Sequence, residues 1–227
     1  MSSLPAPSDK RRAVREMFDR ISGRYDLVNR VMTFGLDQRW RRRTVAALGL
    51  EPRSLVLDLA CGTGDLCTAL TTAGMRTVGM DLSLGMLQHA TTSAPLVQAD
   101  ALTLPIRVRS IDGITCGFAL RNVTDVSLLF AECARVLRSG GRVAFLEVAQ
   151  PRSRVLRAGH GLYFNKIVPA IGGLLSDREA YRYLPRSVVY LPEPRELARR
   201  LEAAGFERIE RVTVGGGAAQ LLTATRR

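Results

Sequence analysis

An α/β fold built on a doubly wound, mostly parallel sheet is what this sequence predicts, on three observations. The apolar run Leu55–Leu59 passes into a glycine turn, Ala60-Cys61-Gly62-Thr63-Gly64-Asp65. A helix-compatible stretch, Leu66–Thr72, leads to a second short apolar run, Thr77–Met80, which stops at Asp81. Further apolar runs at Leu96–Gln98, Ile111–Gly117 and Arg142–Val148 alternate with helical spacings. Continuously apolar short runs mark strands covered on both faces, and their alternation with helices makes the sheet parallel.

Ahead of the sheet, residues 1–53 read as an arm followed by a helical cap. Met1–Ser8, with two prolines, is expected to be disordered. From Asp9, Val14, Met17, Phe18 and Ile21 share one helical face; Ser22–Asp26 interrupts it, and Leu27, Val28, Val31 and Met32 begin a second helix ending near Gly35. A third helix is expected over Asp37–Leu48, where Trp40 stands among Arg39, Arg41, Arg42 and Arg43. That run is either a solvated face or a phosphate-meeting surface with Trp40 as its anchor.

Residues 54–227 hold the sheet. After Asp81, Leu84–Ala90 is a short helix, Leu96–Gln98 a strand ending at Asp100-Ala101, and Ile111–Gly117 a strand followed by Arg121 and Asn122. Thr124 or Asp125 caps a helix through Leu128, Leu129, Cys133 and Leu137, which Gly140-Gly141 ends before the strand Arg142–Val148. Residues 151–192 form an irregular insertion with His160, Tyr163, Phe164 and Lys166 ahead of the apolar segment 167–175. Pro194–Ala204 is a helix, and Phe206–Val214 with Gln220–Thr225 an antiparallel hairpin across Gly215–Gly217. The expectation is therefore a Rossmann-like, seven-stranded sheet with a C-terminal hairpin.

Composition narrows the class. The net charge is +12, but residues 54–149 carry 7 basic against 8 acidic side chains, so the excess lies in the flanks. Residues 1–53 carry 12 against 6 and residues 150–200 carry 10 against 4. Those flanks suit an anionic partner such as a lipid surface or RNA, although arginine bias (two of the 33 basic residues are lysines) contributes. Cys61, Cys67, Cys116 and Cys133 show neither C-x-x-C nor metal-ligand spacing and read as buried thiols in a reducing compartment. With two histidines no metal site is expected, and no signal peptide or membrane-spanning run is apparent.

The first strand–turn–helix–strand unit has nucleotide-site character. Gly62 and Gly64 allow close backbone approach to a ligand, and Asp81, 17 residues beyond Gly64, stands where a carboxylate accepts ribose hydroxyls. A dinucleotide is disfavoured because Cys67 replaces the third glycine and Asp58 and Asp65 flank the turn. Those acids suit a cationic ligand end, such as the amino and sulfonium groups of S-adenosylmethionine. Asp100, at the next strand end, is placed for an exocyclic amine.

The chain resembles the menaquinone/ubiquinone biosynthesis C-methyltransferases, from Met17 to the C-terminal hairpin. The resemblance is carried by Met17-Phe18-Asp19-Arg20-Ile21, Arg24-Tyr25-Asp26 with Asn29, Leu57–Asp65, Gly117–Asp125, Tyr163–Pro169 and Glu179–Ser187. It implies a class I S-adenosylmethionine-dependent methyltransferase acting on a prenylated quinol, with demethylmenaquinol ahead of a ubiquinone-pathway acceptor. It implies that Thr63, Asp81, Asp100, Ala101 and Gly117 contact the donor while Asp58, Gly62 and Gly64 shape its site. Arg121 is the expected stabiliser of the ring oxyanion and Asn122 its orienter. Tyr25 would close over the donor, with Asn29, His160 and Tyr163 on the acceptor side. A cytoplasmic enzyme, peripheral at an anionic membrane, is expected, with homodimerisation left open. An RNA methyltransferase, disfavoured by 6% aromatics and no stacking module, and a non-catalytic scaffold are the competing readings.

Overall fold

The computed structural model describes residues 7–149 and 187–227, with residues 161, 163, 168, 176, 177, 180 and 183 between them. Three helices come first: α1 (Pro7–Ile21), α2 (Tyr25–Thr33) and α3 (Leu36–Leu48). Then follow β1 (Leu55–Leu59), α4 (Asp65–Thr72), β2 (Arg76–Asp81), α5 (Leu84–Gln88), β3 (Leu96–Gln98), β4 (Ile111–Gly117), α6 (Val126–Val136) and β5 (Leu137–Val148). Helix α7 (Pro194–Ala203) precedes the hairpin of β6 (Phe206–Val214) and β7 (Ala219–Arg226).

The sheet runs β3-β2-β1-β4-β5-β7-β6. Strands β1 to β5 are parallel, and β7 enters antiparallel between β5 and the edge strand β6. Strand order reverses between β1 and β4, so a crevice opens beyond their carboxyl ends, where sheets of this kind bind ligands. Both faces are covered. Leu57, Leu59 and Ile114 pack towards α6, where the Phe130 and Phe145 rings lie 5.2 Å apart. Val56, on the other face of β1, packs with Val45 and Leu48 of α3 and with Leu66 and Leu70 of α4. That double burial is why β1 reads as an unbroken apolar run rather than an alternating one.

Two expectations change. Helix α6 ends at Val136, and Leu137 is already extended (φ −72°, ψ 142°) because it pairs with Ile111. The next paired residues are Gly113 and Arg142, so Gly140-Gly141 forms a bulge inside β5 instead of a helix stop. Gly140 has φ +80°, and a Cβ on Gly141 would lie 2.9 Å from the Arg138 carbonyl. The basic run of α3 is also divided. Arg39, Arg42 and Arg43 are exposed, whereas Arg41 is buried and Trp40 turns inward against Leu146, Val214 and Ala219. Asp125, not Thr124, caps α6, its carboxylate accepting the Leu128 N–H at 3.0 Å. Most of the 151–192 insertion, including His160, lies outside the described residues.

Several polar residues are buried in the sheet, Asp58, Thr115 and Glu147 among them. Asp58 of β1 is fully buried, accepting hydrogen bonds from the Thr115 hydroxyl (2.7 Å) and the Cys67 thiol (3.4 Å). Burial dominates over those bonds and pushes its carboxyl up to about 7. Between the unfolded value near ~4 and that folded value, the native state holds a proton that the unfolded chain does not. The resulting stabilisation is therefore full in acid and is lost as pH rises through about 7. Asp58→Asn keeps the acceptor for Thr115 without the titration. Between pH 5 and pH 7 the wild-type protein should lose stability relative to this variant, on the order of 1.4 kcal/mol per pH unit, measured by paired denaturant unfolding.

Candidate active site

The crevice at the strand ends holds two adjoining cavities. The first, of about 130 Å³, is bordered by the glycine turn and the ends of β2 and β4. Gly62 sits at φ +57° and a Cβ there would meet nothing within 4 Å, so its backbone faces open space. Its N–H donates to Asp81 Oδ2, and the Ser83 N–H donates to Asp81 Oδ1, each at 2.8 Å. This fixes the carboxylate across the cavity wall with acceptor capacity to spare. Burial raises its pKa and the backbone N–H bonds oppose the rise.

Met80, Leu82, Met86, Ala99 and Leu102 supply flat apolar walls, and Ala101 and Gly117 also line this space. Asp100 lines it too; its Oδ1 accepts the Leu102 N–H at 2.9 Å and its Oδ2 lies 2.6 Å from Arg11. Arg11 belongs to α1, which closes over the cavity with Val14 and Phe18. Lys10 fastens the same helix, donating to the carbonyls of Arg121 and Val123 at 3.3 and 3.4 Å.

Three expected donor-site residues lie behind these walls. Asp58 is enclosed in the sheet as described. The Thr63 hydroxyl donates to Asp26 at 2.5 Å, tying the turn to α2, and Gly64 (φ +88°) starts α4 beneath the Thr92 side chain. Asp65 faces Arg41 at 3.3 Å and Arg30 at 3.7 Å. The acids beside the turn are thus engaged by the protein itself, and the carboxylates bordering the cavity are Asp81 and Asp100.

The second cavity, of about 220 Å³, lies between the helical cap and β4–β5. Met17, Ile21, Met32, Trp40 and Val148 make it apolar. Tyr25, Asn29, Thr33, Asp37 and Arg41 cross it as a polar row at four-residue intervals. Burial pushes Tyr25 above its ordinary value, keeping the phenol protonated. Tyr163 is also a wall residue, its hydroxyl donating to the Met32 carbonyl at 2.7 Å. Phe18, Tyr25, Phe118 and Asn122 border both cavities and so form the partition between them.

Arg121 borders the second cavity but is firmly held. Its Nη1 donates to Glu147 Oε1 and to the Phe118 carbonyl (2.6 Å), its Nε to Ser187 (3.1 Å), and its backbone N–H to Glu147 Oε2. Asn122 Oδ1 accepts from the Tyr183 hydroxyl at 3.3 Å, and burial pushes that phenol up to about 12. Sequence reasoning had singled out Tyr25, Asn29, Arg121, Asn122 and Tyr163. It missed Thr33, Asp37 and Arg41, although polar residues recurring at every fourth position were a readable signal. Glu147 and Tyr183 carried no comparable signal, because both reach the site from distant chain segments.

Comparison with known proteins follows this geometry. The model of the ubiE/COQ5 methyltransferase family matches residues 6–226. A demethylmenaquinone methyltransferase of Roseiflexus sp. (strain RS-1) is 43% identical over 233 residues, covering 99% of this chain and 98% of that protein. A demethylmenaquinone methyltransferase of Deinococcus radiodurans is 44% identical, covering 87% and 86%. The ubiquinone/menaquinone biosynthesis C-methyltransferase UbiE of Syntrophotalea carbinolica is 38% identical, covering 93% of each chain. Among solved structures, a SAM-dependent methyltransferase of Thermotoga maritima superposes with TM-score 0.67 at 17% identity, covering 94% of this chain and 99% of that one. Magnesium protoporphyrin IX methyltransferase of Synechocystis PCC 6803 superposes with TM-score 0.64 at 18% identity, covering both chains completely. The structural likenesses carry the class I methyltransferase fold, and the match along the whole sequence carries the rest: this chain belongs to the ubiE/COQ5 methyltransferase family.

Proposed function

We propose that the protein methylates a ring carbon of a prenylated quinol, demethylmenaquinol in the first instance, with S-adenosylmethionine as donor. The observation that carries this reading is the shared partition: a polar-edged cavity and an apolar one meet at Phe18, Tyr25, Phe118 and Asn122. The residues of the first cavity fit the donor. Asp81 offers a fixed carboxylate to ribose hydroxyls, Gly62 admits close approach, and the Met80–Leu102 walls suit an adenine ring. Bound there, the donor supplies an electrophilic methyl on a sulfonium.

The second cavity suits a quinol ring with an apolar tail. A ring C–H is weakly nucleophilic until an adjacent hydroxyl ionises, and a phenol does so near ~10 in water. Arg121 places a guanidinium at the cavity wall, where it stabilises the developing oxyanion. Glu147 keeps that guanidinium oriented and balances its charge, and Asn122, set by Tyr183, orients the ring hydroxyl. Alignment across the partition supplies much of the remaining rate.

A membrane supply of acceptor fits the surface at the mouth. Leu27, Val31 and Phe34 are spaced along one face of α2 and its end, and with Leu36 they are 56, 40, 79 and 42% exposed. Phe34 and Leu36 also line the second cavity, so the apolar patch runs into it. Exposed Arg24, Arg39 and Arg43 lie at helical spacing from this patch, a match for an anionic leaflet. No helix among the described residues is long and apolar enough to cross a membrane.

Incubation with methyl-labelled S-adenosylmethionine and a demethylmenaquinol should label the ring carbon, with ubiquinone-type quinols and RNA run in parallel to exclude the alternatives. Glu147→Gln leaves Arg121 as a buried, unbalanced charge. It should lower stability by about 3 kcal/mol and reduce turnover more than donor affinity, read by unfolding and calorimetry. Leu27→Glu with Val31→Glu, exposed residues that line neither cavity, should abolish sedimentation with anionic liposomes while leaving turnover of a short-chain soluble quinol intact.

A further inference from the structure

The polar row across the acceptor cavity holds two buried atoms without a hydrogen-bond partner, Asp37 Oδ2 and Arg41 Nε, and Asp37 is the carboxylate of the pair. Asp37, on the first turn of α3, is 1% exposed and borders the cavity. Its Oδ1 lies 2.8 Å from the Thr33 hydroxyl. Its Oδ2 has no hydrogen-bond partner. Arg41 Nε is 3.7 Å away and leans towards Asp65, at 3.3 Å, so it tempers the charge of Asp37 without occupying the oxygen. A carboxylate oxygen removed from water and left without a donor is costly, and a native structure keeps one where a ligand completes it.

Building on the C-methylation reading, we propose that Asp37 Oδ2 is the proton acceptor for the ring hydroxyl of the quinol. The alternatives in reach are spoken for. Both oxygens of Glu147 are taken by Arg121 and the Val148 N–H, and Glu147 does not line the cavity. Tyr25 and Tyr183 are phenols held protonated by burial. Among the described residues lining this cavity, Asp37 is the one carboxylate.

The step balances as follows. The O–H proton passes to Asp37 as its electron pair moves into the ring. The ring carbon bonds the methyl while sulfur keeps the pair of the breaking carbon–sulfur bond. The methylated carbon then loses its hydrogen to water as a proton, aromaticity returns, and Asp37 gives its proton back to the ring oxygen. One proton is released per methyl transferred.

Asp37→Asn preserves volume and the acceptor for Thr33 but takes up no proton. With demethylmenaquinol, turnover should fall by about 10²–10⁴-fold, while donor affinity by calorimetry stays at the wild-type value. Asp37→Glu should recover part of the loss. The discriminating readout is an acceptor whose ring hydroxyl is acidified by halogens, so that it is ionised before binding: on it, the Asn variant should approach wild-type turnover. Wild-type turnover by D37N on demethylmenaquinol, or an equal loss on both acceptors, overturns the assignment. Should D37N fail to fold, the same two-acceptor comparison is made with Asp37→Glu and Asp37→Ser. A wild-type protein that labels no quinol would instead overturn the methylation reading itself.

Discussion

Everything in this molecule follows from bringing two ligands of opposite solubility within bonding distance while keeping each in its own surroundings. A charged, hydroxyl-rich donor needs fixed carboxylates and open backbone; a greasy ring needs an apolar chamber. A single side-chain layer made of Phe18, Tyr25, Phe118 and Asn122 separates the two chambers. Its composition is a compromise, with two apolar rings to exclude water and two polar tips to direct hydroxyls. The sheet makes this possible because strand order reverses between β1 and β4, leaving a crevice that the N-terminal helices cover without any sheet residue moving.

The covering helices do two jobs with two faces. Helix α1 reaches over the donor chamber and is pinned by Arg11 to Asp100 and by Lys10 to the carbonyls after β4. Helices α2 and α3 instead enclose the acceptor chamber, and the polar row from Tyr25 to Arg41 is the only interruption of its apolar lining on that side among the described residues. Exposed ion pairs such as Arg11–Asp100 contribute little to stability, typically under about 1 kcal/mol. Arg121–Glu147 is the opposite case: nearly inaccessible, multiply hydrogen-bonded, and suited to holding a guanidinium still rather than to letting it move.

The sheet was legible because burial on both faces writes itself as short apolar runs, and β1, β3 and β4 stand where those runs predict. The glycine turn and the acids Asp81 and Asp100 were legible for the same local reason. What the chain order does not encode is which way a carboxylate points. Asp58 and Asp65 flank the turn in sequence, yet one faces into the sheet, where Thr115 and Cys67 meet it, and the other faces two arginines from the cap. Gly140-Gly141 misled in a similar way. A glycine pair after an apolar helix fits a stop signal, but the strand register across β4 turns it into a bulge. Glu147 takes its role from Arg121, which arrives from the loop after β4.

The apolar character of the acceptor chamber also decides what its few polar atoms can do. In water, a carboxylate beside a phenol gains little, since solvent already solvates and screens both. Inside a wall of Met17, Ile21, Met32 and Trp40, the same pair interacts at low effective dielectric, so each hydrogen bond is stronger and each vacancy more costly. A site built this way holds its polar groups in fixed positions before the ring arrives, because no water remains to reorganise when charge shifts. The five-residue row achieves that by placing one polar side chain per helical turn and anchoring Thr33 to Asp37 and Arg41 to Asp65. The oxygen left over on Asp37 is then the point where the row meets the substrate.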